Sequence, residues 1–344
     1  MISYRKTGLR RFGKLCGGLA ITLAGALAAI GLSGSAALSL ELKLGHYAPE
    51  SHPGHKATMM FAEAVKARTN GAVTVKIYPA QKLGSPPEML EQNVHGTLDM
   101  SLPTQGQLAK YDKAFAAVMT PFVFKDYAHA WRVLDGPFMD WIAPRLEPKG
   151  LIFLSNWEWG FRNVTNGKHP VNVPDDMKGL KMRTPPEVQL QAAMEATGAI
   201  VTKISFKELP LSLKQGVVDG QENPLSVIYH FKLYEVQPYL AITRHVYNSM
   251  VHVMSRKAWQ QLTPEQQAII REESKKAGQW FRDVMVKEED NLVSKLKEKG
   301  MKVTMPDREL FRAKMAPAYA RISDFAGKEN FDTFMKMVDA ERGK

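Results

Sequence analysis

Cysteine is all but missing from this chain: its 344 residues contain one, Cys16. That residue follows Lys14-Leu15 rather than small residues, which speaks against lipid attachment there. Cys16 falls in an expected signal segment, so the mature chain would have no thiol, and with it no disulfide, no thiolate metal site and no cysteine nucleophile. Familiar catalytic signatures are missing too. Beyond the first 37 residues there is no G-x-S-x-G elbow, no H-E-x-x-H, no Walker loop and no G-x-G-x-x-G, and the nine histidines do not pair at metal-ligand spacing. The expectation is no cofactor, no metal and no catalytic residue, so binding is favoured over catalysis.

The first fourteen residues carry five cations (Arg5, Lys6, Arg10, Arg11, Lys14) and no acid, and an apolar run from about Leu15 to Leu32 leads into Ser35-Ala36-Ala37. This is the layout of a secretory signal, expected over residues 1–37, with a retained membrane anchor as the alternative. Arg10-Arg11 hints at twin-arginine export, but its flanks fit ordinary secretion better. Losing five cations and no acid would take the formal charge from +11 to +6. So mild an excess over a large surface gives no reason to expect nucleic acid. The 307 residues after position 37 exceed what one core comfortably fills, so two lobes are expected, with a cleft able to close by hinge motion.

The punctuation along the chain is α/β. Leu38, Leu40, Leu42 and Leu44 alternate with polar residues as a half-buried strand does. A helix is expected from about Gly54 to Thr69, then a strand through Val73, Val75 and Ile77, then a helix opened by Ser85-Pro86-Pro87 and stopped by Gly96. Leu98, Met100 and Leu102 give a third strand. Residues 151–155 (LIFLS) form a continuous apolar run of the kind found in buried parallel strands. A lobe crossing is placed near the following Asn156–Arg162. A second α/β lobe then has strands around 180–183 and 200–204 and helices around 187–197 and 206–215. Thr263-Pro264-Glu265-Gln266 is a capping-box start. The helix it opens should run about 35 residues to Gly300, on the order of 50 Å at 1.5 Å per residue. That length outreaches one lobe, and Gly278 is its expected weak point, since glycine in a helix costs roughly 1 kcal/mol relative to alanine. The lobes are assigned as 38–160 plus about 249–285, and 161–248 plus about 286–344.

Within 178–225 one arginine and one asparagine fall at expected turns between short strands and helices. Arg183 ends the run Leu180-Lys181-Met182 and precedes Thr184-Pro185-Pro186, which places its guanidinium at the mouth of a sheet. Planar paired donors suit a carboxylate, and the alternative is an ordinary surface salt bridge. Asn223 precedes Pro224, which restricts it to extended geometry and turns its amide outward, although a helix cap is equally compatible. Asp219 and Glu222 read as residues that fix the loop.

These elements resemble the solute-binding proteins of tripartite ATP-independent periplasmic (TRAP) transporters. The family's LKxR and DGxENP stand here as Leu180–Arg183 and Asp219–Pro224. The resemblance implies a two-lobed periplasmic-binding-protein fold with a central cleft and a long helix spanning both lobes. It also implies that Arg183 is the carboxylate clamp and that Asn223 hydrogen-bonds the same group. Trp157, Gly160, Phe161 and Arg162 match the family's WDNGFK/R-like segment, in which the basic residue helps hold the ligand, whereas Trp159 replaces an asparagine. Trp159 walls the pocket or packs in the core. Phe206, Glu208, Leu213 and Gly216 fit the F-x-E-x-Y-x-A-L-Q element, with Phe206 against the ligand; Pro210, Ser212 and Lys214 depart from it. His46-Tyr47 and Thr104-Gln105 follow strands in loops from which the family draws polar contacts. FKDYAHAW (124–131) and VTMPD (303–307) are also similar.

The expected ligand-binding set is therefore Arg183, Arg162, Asn223, Phe206, Trp157, Trp159, Tyr47, His46, Thr104 and Gln105. The expected activity is capture of an organic acid, with C4-dicarboxylates the commonest in the family, by a monomeric periplasmic receptor that serves the membrane subunits of a TRAP transporter. The alternatives are a receptor for an ATP-driven importer or a sensor kinase, or a secreted hydrolase or lyase acting on an organic acid.

Overall fold

The computed structural model describes residues 39–344. The expected signal segment and Cys16 lie outside the described residues.

Nine strands form one mixed sheet: β1 (Leu40–Gly45), β2 (Val73–Tyr78), β3 (Met100–Ser101), β4 (Leu151–Asn166), β5 (Lys181–Thr184), β6 (Ile200–Lys203), β7 (Gly220–Pro224), β8 (Tyr239–Ser255) and β9 (Lys302–Thr304). Their order is β2-β1-β3-β8-β4-β7-β5-β6, with β9 beside β8. At one end β2, β1 and β3 are parallel, and at the other β7, β5 and β6 are parallel. The right-hand crossover geometry of such units requires helices between the strands, which is where the sequence puts them. The two ends are joined through β4 and β8, 16 and 17 residues long and antiparallel to each other.

Here the structure corrects the expectation for 151–155. The apolar run is the first third of a strand that continues through Asn156–Arg162, and every partner of that strand is antiparallel. All sixteen residues of β4 are buried because helices cover it. Burial on both faces, which usually marks parallel strands, here comes from its central place between the two ends. The crossing placed near Asn156–Arg162 is therefore made by strand, with register shifts between Phe153 and Ser155, Glu158 and Gly160, and Arg162 and Val164. The third strand is shorter than expected, only Met100–Ser101.

Helix boundaries follow local chemistry. Helix Pro53–Arg68 starts at His52, whose side chain accepts from Gly54 N. Helix Pro86–His95 opens with Glu88 accepting from Ser85 N at 2.7 Å and closes at Gly96 in left-handed geometry. The long helix is Pro264–Glu298, 35 residues. Thr263 Oγ1 accepts from Gln266 N at 3.2 Å and Gln266 Oε1 accepts from Thr263 N at 3.0 Å. It packs on helix Pro53–Arg68 at one end of the sheet, on β4 in the middle and on helix Leu225–His230 at the other end.

Gly278 has a role the sequence did not suggest. A Cβ there would stand 2.8 Å from the Asn156 carbonyl oxygen and 2.8 Å from Trp157 Cδ1. Glycine thus permits the close approach of helix to strand, and the propensity penalty is offset by contact.

Candidate functional site

Arg183 lies within β5, opposite Thr202 of β6 and Gln221 of β7, not at a turn as expected. Thr184 still belongs to the strand, and the chain breaks only at Pro185. The side chain is 1 % exposed. Its Nε donates to Ile204 O at 2.8 Å, while its buried Nη2 has no hydrogen-bond partner among the described residues. The guanidinium carbon sits 5.7 Å from the Phe206 ring centre. Burial pulls its pKa down to about 10, against the opposing pull of Glu222, and nearby Arg162 adds to the depression. A buried guanidinium with an unused donor is a costly arrangement that an anion would relieve.

Arg162 is different. It lies in β4 opposite Pro224 of β7 and Val246 of β8. Its Nε and Nη2 grip the carboxylate of Glu222, the second contact at 2.9 Å, and Nη2 also donates to the Glu222 carbonyl at 2.7 Å. Nη1 donates to Asn248 Oδ1, and Nη2 reaches Asn223 Oδ1 at 3.1 Å. Glu222 in turn sits 3.3 Å from His245 Nε2. Burial works against ionising Glu222, but Arg162 and His245 outweigh it and hold its carboxyl below the ordinary range. Arg162 is therefore a neutralised cation, not the free second clamp expected from sequence. Glu222, expected to fix a loop, is instead its strand-borne counterion.

The two arginines meet in a small cavity lined by Tyr47, Pro86, Thr104, Gln107, Trp159, Arg162, Arg183, Pro185, Glu187, Phe206 and Asn223, with about 30 Å³ open to water centres. It adjoins a hollow of about 130 Å³ that shares Pro86, Gln107, Arg183, Pro185 and Phe206 and reaches Ser85, Pro87 and Lys203. Residues from both ends of the sheet thus converge on it. Asn223 lies in β7, paired with Asn163, and its Nδ2 donates to Gln221 Oε1. The helix cap weighed for it falls to Pro224. Trp159 has no partner opposite it in β8, because the ladder passes from Glu158 to Gly160, and Gly160 takes φ +109°. Such a bulge re-aims a side chain, and the indole packs 4.9 Å from the Tyr47 ring and 4.8 Å from His52. Phe206 stands edge-on to Tyr47 at 5.7 Å.

Three expected residues lie elsewhere. Trp157 is fully buried beneath the long helix, its Nε1 donating to Ser155 Oγ and Ser274 O, both at 3.1 Å. Gln105 turns inward to Asn156, donating to Oδ1 at 2.7 Å. His46 pairs with His55 at 3.1 Å, and burial drops its pKa to about 3. None of the three lines the cavity, because each is claimed by packing or by a polar partner behind it. Sequence reasoning passed over four that do, Pro86 and Pro185 and the polar Gln107 and Glu187. Glu187 accepts from Thr104 Oγ1 at 2.9 Å across the cleft. The one signal for it was an acid four residues after Arg183.

A larger hollow of about 650 Å³ lies away from this site, between Thr120–Lys125 and Arg308, Arg312, Tyr319 and Phe331. Two of its arginines are already paired, Arg312 with Glu309 and Arg342 with Asp339. Size alone does not set the two hollows apart: Arg308 in the larger one also has an unpartnered Nε among the described residues but is only half-buried, whereas Arg183 is buried whole.

The family model described as bacterial extracellular solute-binding protein, family 7 (DctP), matches residues 44–324. The chain is 33% identical over 320 residues to the 2,3-diketo-L-gulonate-binding periplasmic protein YiaO of Escherichia coli (strain K12), covering 93% of each protein. Two solved structures are also similar. One is a TRAP periplasmic solute-binding protein from Polaromonas sp. JS666 bound to D-erythronate (TM-score 0.83, 33% identity, 86% of this chain and 98% of that one). The other is the sugar acid binding protein DctPAm from Advenella mimigardefordensis strain DPN7T in complex with galactonate (TM-score 0.85, 30% identity, 88% and 99%). With its two-ended α/β sheet, bracing helix and arginine-floored cleft, the chain belongs to family 7 of the bacterial extracellular solute-binding proteins, the receptors of TRAP transporters, and is not an enzyme.

Proposed function

We propose that the chain captures an organic acid in the cleft beneath Arg183 and hands it to the membrane subunits of a TRAP transporter. The observation that carries this reading is the Arg183 guanidinium, buried yet with Nη2 unpartnered at a cavity. In low dielectric a charge-assisted pair with a carboxylate is worth about 1.5–3 kcal/mol. Asn223 and Gln107 supply amide groups, Tyr47, Thr104 and Phe206 complete the walls, and Trp159 excludes water from one side. Arg162, saturated by Glu222, orients Asn223 and contributes field in place of an open donor. The relatives named above bind diketogulonate, erythronate and galactonate, all organic acids.

A space of about 30 Å³ holds no more than a water or two, so a multi-carbon acid enters only as the cleft opens. We assign this motion to hinge bending of the long strands β4 and β8 at their register shifts, between lobes 38–160 plus about 249–285 and 161–248 plus about 286–344. Residues 1–37 are assigned as the export signal and the periplasm as the working compartment, in keeping with the periplasmic relatives. Among the described residues no helix is long and apolar enough to cross a membrane.

The test is a thermal-shift screen of organic acids, followed by calorimetry of the best ligand on wild type and Arg183→Ala. A ligand at 100 times Kd should stabilise the fold by about 2.7 kcal/mol. The variant should lose about 2–5 kcal/mol of binding. Equal binding by the variant would overturn the assignment.

A further inference from the structure

Glu187 is an acid buried among the groups of a site built for acids. It stands at the N-cap position of helix Val188–Glu195, directly after Pro185-Pro186, without a side-chain capping bond; it is 3 % exposed and lines the same cavity as Arg183. Its one side-chain hydrogen bond among the described residues comes from Thr104 Oγ1, at the other end of the sheet. The carboxylate also presses on the bare backbone of Gly106, where a Cβ would stand on Oε2. Gly106, having no side chain, is what lets the carboxylate come this close to the loop that carries Thr104.

The charges in the cleft can be counted. Arg162 and Glu222 cancel each other in a direct pair. What remains in the cavity wall is one cation, Arg183, and the carboxyl of Glu187, whose pKa burial raises while Arg162 and the Thr104 hydroxyl favour its charged form. Lys203, at the rim of the adjoining hollow, is exposed to solvent, where its charge is screened. A ligand's first carboxylate is satisfied by Arg183. A second carboxylate would meet Glu187 in a desolvated space with no free cation to offset it, and like charges at close range there are strongly repulsive. A hydroxyl in the same place would donate to Glu187, which has lone pairs to spare beside its bond from Thr104.

We infer that Glu187 is a specificity-determining residue: it selects ligands with a single carboxylate whose other end carries hydroxyl donors, and it rejects dicarboxylates. This rests on the reading of Arg183 as the carboxylate clamp. It narrows the ligand from organic acids at large, C4-dicarboxylates included, to hydroxylated monocarboxylates.

The experiment compares two sets of acids of matched carbon number by isothermal titration calorimetry: succinate, glutarate and adipate against D-erythronate, a pentonate and galactonate. Wild type should bind the best hydroxylated monocarboxylate at least tenfold more tightly than the best dicarboxylate. Glu187→Gln removes the negative charge with little change of shape and should shrink that ratio at least tenfold, mainly by improving dicarboxylate binding. Glu187→Ala, read in the same way, covers the case in which the glutamine variant fails to fold. A merely structural role for Glu187 would weaken both sets alike and leave the ratio unmoved. A wild-type preference for dicarboxylates, or a ratio unchanged in the folded variant, overturns the inference. Arg183→Ala separates the two readings: if it abolishes binding of whichever acids wild type takes, the clamp stands even where the Glu187 inference has failed. If no acid of either set binds wild type, the Glu187 inference falls while the clamp is judged on the best ligand of the wider screen; if Arg183→Ala binds that ligand as wild type does, the clamp reading falls and takes the inference with it.

Discussion

Replacing Arg183 by methionine should separate function from stability in one step. The guanidinium is fully buried, and burial holds its pKa at about 10, roughly two and a half pH units below the ordinary arginine value. At about 1.36 kcal/mol per unit, keeping it charged in the ligand-free protein costs on the order of 3 kcal/mol. Against this, the variant loses the hydrogen bond from Nε to Ile204 O, worth about 1 kcal/mol. Methionine fills most of the stem's volume and adapts to the Phe206 face. The balance predicts a ligand-free Arg183→Met protein at least as stable as wild type, by up to about 2 kcal/mol, or a few degrees in Tm for a chain of this size. Binding should fall by about 2–5 kcal/mol, some 30- to 5,000-fold in Kd. Calorimetric melts with and without ligand read both quantities. A ligand-free variant melting well below wild type would make Arg183 a structural residue, and retained affinity would remove it from the site.

Glu222→Gln strips Arg162 of its counterion inside the protein and should destabilise it by about 3–5 kcal/mol in urea denaturation, whereas an exposed pair such as Lys328–Asp332 should be nearly silent. Gly278→Ala should destabilise rather than stabilise, by about 1–3 kcal/mol, because the new methyl meets the backbone of Asn156 and the Trp157 ring; a gain of about 1 kcal/mol would mean that helix propensity rules there. Glu158 accepts from Trp131 Nε1 and Tyr247 Oη, both at 2.9 Å, and burial pushes its carboxyl up to about 7. The folded state therefore holds this proton where the unfolded chain has released it, so the group's contribution is complete below pH ~4.5 and is lost as pH rises to about 7, on the order of 3 kcal/mol in all. Urea melts of wild type and Glu158→Gln at pH 5 and 7.5 check this: the variant should lack that part of the decline, and parallel profiles would refute it.

The local grammar of the chain was legible because its causes are local. Capping boxes at Ser85 and Thr263, the stop at Gly96 and the 35-residue span of the long helix follow from neighbours within four residues. The apolar run and the two prolines placed Arg183 only near a strand end; its role as a clamp was suggested by the resemblance to the TRAP receptors, since an ordinary surface salt bridge fitted the local sequence as well. Tertiary structure decided what distance in sequence conceals. Whether Leu151–Ser155 pairs parallel or antiparallel depends on strand residues about 100 positions later. Arg162 reads as a free cation until β7 brings Glu222 against it, and Glu187 reads as a helix start until the fold sets it beside Thr104, 83 residues away. Trp157 and Trp159, two positions apart, part company because the bulge before Gly160 turns one to the cleft while the other stays under the helix. Periodicity fixes which side chains are apolar and where elements begin. Which charges cancel, and which one is left without a partner at the cleft, is set by register between strands that the sequence keeps far apart.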